Sequence, residues 1–458
     1  MMDRRRGVLA ALFIAGAATF AAPALSSPAL AGPELAPGET VLADGLTMEV
    51  RHATGSGAVA LEIWVRCPAS GWTSSQPGIA RLTALAVVDA KSGNTTLRDI
   101  VRSHGGEVGV SIFQTATEFV VLSPADQATA LEDALMRAVF RPSIDAPAID
   151  QAKTRLAAEQ ALSAQSSAAV LRDKVFATIF ASGPLHDATL GDAKLLESAS
   201  LTEVRDFAAR SYVPSASAVI ALGNADADVL RAHIAAASPN SGAGSSMPAS
   251  AIAGPPAQPL SLTNPDVDAP GVALAWSGPP ITDRRAATAM DFLSDYLTEP
   301  RTGAFANAAT ATTAGAAIDG QYVTLEQPGL FYVSATGTGV DPAAMAKSLR
   351  NALDQLLARP MAQDRFATAL SAYETRLLRQ MDSPQGLADN YGWYFAMNAP
   401  SYAPSATDVS LGGEYFASAS SLTPDFVRDV ARRYLGAAPV VITIAPAKAS
   451  TASASGGS

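Results

Sequence analysis

The chain has 458 residues, 48% of them apolar and 16% charged, with 32 Lys and Arg against 42 Asp and Glu and a formal charge of −10. That length exceeds one ordinary core and suits two domains of roughly 200 residues, while the thinly scattered basic residues form no face able to neutralise phosphates and argue against nucleic-acid binding. Cys67 is the only cysteine, so no internal disulfide can hold the chain together, and the acidity favours solubility rather than selecting a basic ligand.

Residues 1–31 have the form of a signal peptide. Arg4, Arg5 and Arg6 precede an apolar run at 8–22, and Ala29-Leu30-Ala31 supplies a small-x-small cleavage site. The run is short of the roughly 20 residues that span a bilayer, and no later segment is both long and uncharged enough to do so. The expected protein is therefore exported, periplasmic or secreted, with no membrane span; Arg5-Arg6 also fits a twin-arginine route. Loss of this segment takes the charge from −10 to −12.

Asp44-Gly45 is a hairpin signal, and Leu46, Met48 and Val50 then alternate with Thr47, Glu49 and Arg51. A second strand over 59–67 alternates Val59, Leu61, Ile63, Val65 and Cys67, and the two strands are expected to pair. Cys67 falls on the apolar side, as a buried small hydrophobe rather than a nucleophile. Helical spacing of Ile79, Leu82, Leu85 and Ala86 predicts a helix over 78–90, and a second over 97–104 is stopped by Gly105-Gly106. Strands near 107–113 and 117–122 follow, then helices at about 125–140, 147–165, 168–182 and 202–211, and a strand at 216–222.

From 235 to 261 the composition collapses into Ala, Ser, Gly and Pro, which reads as an interdomain linker. The element order then recurs: a strand at 272–276, a helix at 284–297, strands at 314–325 and 329–337, helices at 342–358, 363–381 and 385–397, a helix from Pro424 and a strand at 440–444. Residues 449–458 read as a disordered tail. Val204-Arg205-Asp206-Phe207-Ala208-Ala209-Arg210 is echoed by Val427-Arg428-Asp429-Val430-Ala431-Arg432-Arg433 at an offset of 223, which supports duplication. The fold class that follows is α+β: two homologous halves, 32–234 and 262–448, each a mostly antiparallel sheet with helices against it.

Four stretches carry a resemblance to the pitrilysin/insulinase family of zinc peptidases: Leu42-Ala43-Asp44-Gly45-Leu46, Gly78-Ile79-Ala80, Gly183-Pro184-Leu185 and Leu190-Gly191-Asp192. The family's metal motif is Gly-x-Ala-His-x-x-Glu-His. Here Arg81 and Leu85 stand at the two histidine positions and Ala84 at the glutamate. A further glutamate ligand of the family lies on a later helix, and Lys153-Thr154-Arg155-Leu156-Ala157-Ala158-Glu159 resembles it, placing Glu159 as the one ligand retained. One carboxylate does not hold zinc, because tight sites need three protein ligands in fixed geometry. The resemblance thus implies no catalytic or metal-binding residue in this chain and no cofactor of its own, zinc being expected only in a catalytic partner. Arg81 is placed to form an ion pair with Glu159. The arginine and tyrosine with which the family holds a substrate carbonyl are not evident, since Arg301 and Tyr322 lie off register.

The function implied is that of an exported non-catalytic subunit pairing with a catalytic homologue to form a peptide-degrading chamber; the alternative is a stand-alone peptide-binding or scaffold protein with no associated proteolysis. An extended peptide would add to the strand holding Val108, Val110 and Ile112. His52, His104, His186 and His233 are each isolated, so no linear metal motif is visible. Neither a nucleophile elbow, a phosphate-binding loop nor a dinucleotide fingerprint is present.

Overall fold

The computed structural model describes residues 39–53, 57–72, 76–239, 244–254, 256, 258–399 and 411–447. The expected signal segment and the tail at 449–458 lie outside the described residues.

Strands of the first half are β1 (Glu39–Val41), β2 (Thr47–His52), β3 (Ala58–Arg66), the two-residue pair β4 (Lys91–Ser92) and β5 (Thr95–Thr96), β6 (Glu107–Phe113), β7 (Ala116–Pro124), β8 (Phe180–Ser182) and β9 (Ser217–Gly223). Its helices are α1 (Ile79–Asp89), α2 (Leu97–Ser103), α3 (Ala128–Phe140), α4 (Ala146–Gln165), α5 (Ser167–Ile179), α6 (Ala193–Ser198), α7 (Leu201–Ser211) and α8 (Ala227–Ala237). The second half has β10 (Ala251–Ile252), β11 (Leu260–Thr263), β12 (Gly271–Ser277), β13 (Ala317–Val323), β14 (Leu330–Thr336) and β15 (Val440–Ala445). It also has α9 (Arg284–Thr298), α10 (Ala304–Thr312), α11 (Pro342–Ala358), α12 (Gln363–Met381), α13 (Pro384–Ala396), α14 (Leu411–Ser420) and α15 (Pro424–Leu435). The class is α+β. The segment that composition marks as a linker carries β10, which pairs with β8, and the start of β11.

The two principal sheets run β1-β2-β9-β3-β7-β6 and β11-β15-β12-β14-β13. In each, the last strand of the half inserts between two early strands: β9 is parallel to β2 and antiparallel to β3, and β15 is parallel to β11 and antiparallel to β12. The expected pairing of β2 with β3 is therefore corrected, because β9 occupies the position between them. The shared strand order gives the repeat of 204–210 at 427–433 a structural meaning: each copy lies on the helix, α7 or α15, that leads into the inserted strand.

Compact units do not coincide with contiguous halves. One unit combines residues up to Ala157 with Ser182–Ser250 and Ser371–Ser421; the other combines Ala158–Ala181, Ala251–Leu370 and the residues from Leu422. Thus α13 packs on β3 and β9 of the first sheet, while α5 packs on β12, β14 and β15 of the second. This exchange explains why β3 is buried from Val59 to Val65 on both faces. Val59, Leu61, Ile63, Val65 and Cys67 join one core with α1 and α3. Trp64, on the opposite face, lies beneath α13 so closely that a Cβ on Gly392 would sit 2.0 Å from its Nε1.

Candidate functional site

The degenerate motif sits on α1, whose residues from Ile79 to Val88 are all buried. Gly78 caps the helix with φ 86, a left-handed conformation that glycine adopts without a Cβ penalty. Close approach adds a second reason. A Cβ on Gly78 would meet the Leu190 carbonyl oxygen at 2.7 Å, and one on Gly191 would meet the Pro77 oxygen at 2.0 Å. The Leu190-Gly191-Asp192 stretch therefore fixes the entry of α1, and Asp192 goes on to cap α6 through Lys194 and Leu195 amides.

Along α1, Arg81 is buried and its Nη1 donates to the Val110 carbonyl at 2.8 Å. Ala84 and Leu85 belong to the hydrophobic core of the first unit, at 0% and 1% exposure. Glu159 is half-buried on α4. A guanidinium, a methyl group and an isobutyl group offer a divalent ion no lone pair, so the residues at these positions do not fit the zinc of the resembled family, and no hydrolytic step follows from them. Burial explains the outcome locally: inside α1, Ala84 and Leu85 gain by burial in the core, and the one charge is tied to a strand carbonyl.

That strand is β6, the outer strand of its sheet among the described residues, paired only with β7 from Glu107↔Leu122 to Phe113↔Ala116. Val110 is buried, while Val108 and Ile112 are half-buried. An edge strand presents unpaired main-chain groups, which is the chemistry that takes an extended peptide. The two residues that lie off register from the family's substrate clamp fare differently. Arg301 is exposed, and the Tyr322 hydroxyl is buried and donates to the Pro279 carbonyl.

Two groups of titratable side chains come together that no linear spacing announced. Glu62 on β3, Glu118 on β7 and Asp389 on α13 bring one oxygen each within 4.8 Å of the others. Trp64 Nε1 donates to Glu62 Oε2 at 2.7 Å, yet Glu62 Oε1 and Glu118 Oε1 are buried without a hydrogen-bond partner. Burial first, then the neighbouring carboxyls, push Glu62 well above the carboxylate range and Glu118 up to about 8. The second group is Glu132, Asp133 and His233. What covers Glu62 and Glu118 is a helix more than 260 residues later in the chain, which no local pattern around either residue announces. Cys67 is fully buried beside the Thr117 hydroxyl at 3.3 Å, and burial pushes its thiol up to about 12.

Comparison with known proteins places this geometry. Residues 198–373 match the Peptidase M16 inactive domain, and no curated protein matches the sequence. Among solved structures, a protease from Helicobacter pylori shares the fold with TM-score 0.76 and 15% identity, over 89% of this chain and 98% of that one. The peptidase M16 inactive domain from Pseudomonas fluorescens gives 0.73 and 15%, over 89% and 97%. A chain of complex III2 from Candida albicans gives 0.71 and 14%, over 88% and 94%. Residues 198–373 thus match an M16 inactive domain, and the chain as a whole shares the fold of these solved structures.

Proposed function

We propose that this chain is an exported, non-catalytic subunit that pairs with a homologue carrying the intact His-x-x-Glu-His motif and supplies half of a chamber around peptides. The observation that carries the reading is the replacement of every metal donor on α1 by Arg81, Ala84 and Leu85 while the surrounding fold is kept. The catalytic zinc then belongs to the partner. The match to an inactive M16 domain supports the same division of labour.

Peptide capture by the lone chain is a second reading, favoured by the position of β6 at a sheet edge with Val108, Val110 and Ile112 on it. Affinity purification of the full chain from its native host, with mass spectrometry and zinc analysis, tests both. The expected result is a stoichiometric homologue bearing the intact motif, with chelator-sensitive peptidase activity in the complex and none in the lone chain. Chelator-sensitive cleavage by the lone chain supplied with zinc would overturn the proposal, and peptide binding with no co-purifying homologue would replace it with the second reading.

A further inference from the structure

Glu132 and Asp133 are adjacent on α3, and His233 lies on α8, the helix that packs against α3. Each offers one donor atom, and the three donors lie within 4.8 Å of one another. His233 Nδ1 stands 3.7 Å from Asp133 Oδ1, close to the edge of about 3.4 Å between two ligands on a tetrahedral ion with bonds of about 2.1 Å. Asp133 and His233 are part-exposed, with side-chain exposures of 39% and 45%, so an ion has an open approach and both side chains have room to close on it.

Glu132 supplies a second observation independent of that spacing. It is 1% exposed, and both of its carboxyl oxygens are buried without a hydrogen-bond partner. Leaving such a group unsatisfied costs about 1–3 kcal/mol, more if it is charged. A leucine would fill the same space without that cost, and a coordinated cation would engage one of the two oxygens.

We propose that Glu132, Asp133 and His233 form a binding site for a single divalent transition ion of the zinc class, which clamps α8 to α3. One imidazole with two carboxylates is the donor set of borderline first-row ions rather than of calcium or magnesium, which prefer oxygen alone. Three protein ligands leave a fourth position for water. The site uses none of the residues at the degenerate motif on α1, and it does not depend on whether a catalytic partner exists.

The test is titration of the metal-free full chain, carrying no added histidines, with zinc chloride against a chromogenic chelator, followed by thermal unfolding with and without the ion. One equivalent of zinc at micromolar concentration or below is expected, with a raised thermal midpoint. Glu132→Gln and His233→Ala should each weaken binding by at least about tenfold and abolish the thermal shift. Glu132→Gln, a neutral isostere, should leave the metal-free fold unchanged by circular dichroism. No binding at micromolar zinc, or binding that survives both substitutions, would overturn the proposal.

Discussion

At the scale of single residues, Arg81 replaces metal chemistry with a hydrogen bond. Its guanidinium is buried against the Val110 carbonyl, and a charge-assisted bond of this kind contributes about 1.5–3 kcal/mol. Arg81→Leu should therefore lower unfolding free energy by about 2 kcal/mol in a denaturant titration, because the carbonyl loses a charged donor and a leucine cannot replace it. The motif positions were legible in the sequence because a single helical turn sets their spacing. The Glu132–His233 approach was not, because it depends on two helices 100 residues apart meeting side by side.

At the scale of elements, the junction between α13 and the first sheet holds three carboxyls in a dry environment. All three have pKa values raised by burial, with their mutual proximity reinforcing the rise for Glu62 and Glu118. Other charged groups near this face are already engaged: Arg51 pairs with Glu49 and lies over the Tyr391 ring, and Arg66 donates to Asn398 and lies over Phe395. The unfolded chain releases these protons near pH 4.3, whereas folded Glu118 keeps its own until about 8. Between those values the native state binds more protons than the unfolded one, so stability falls as pH rises and levels off above the folded value. Glu118→Gln should have little effect at pH 5 and should recover on the order of 2 kcal/mol at pH 9, flattening the pH profile. A profile that falls equally steeply in the variant would show that the cluster does not control it. Strand alternation located β3 and its apolar side from Val59 to Cys67 but carried no sign that the other side is covered too. A covering helix supplied from distant sequence leaves no periodic mark on the strand it buries. The same holds for sheet order: β2 and β3 are near in sequence, and the strand between them comes from about 150 residues later.

At the scale of the whole molecule, the exchange of α5 and α13 turns a duplication into an interdependent structure. Repeated sequence at an offset of 223 suggests two halves that could each fold alone. A fragment covering 39–250, however, would lack α13 and leave Trp64 and Phe113 without Trp393 and Gly392 above them. A fragment covering 251–447 would lack α5, whose Leu171 and Val175 are fully buried and whose Ser167 hydroxyl donates to Asp268 at 2.8 Å. Stripping a helix from a sheet face bares an apolar patch on the order of 400 Å²; at about 25 cal/mol per Å² that is about 10 kcal/mol, comparable with the ~5–15 kcal/mol that stabilises an entire domain. Each fragment expressed alone should therefore aggregate or bind a hydrophobic dye without a cooperative unfolding transition, whereas the two expressed together should co-purify and unfold cooperatively. A soluble 39–250 fragment with a sharp transition near that of the full chain would mean that α13 is dispensable to the first sheet. The burial of Trp64 would then have to be achieved by collapse within the fragment itself.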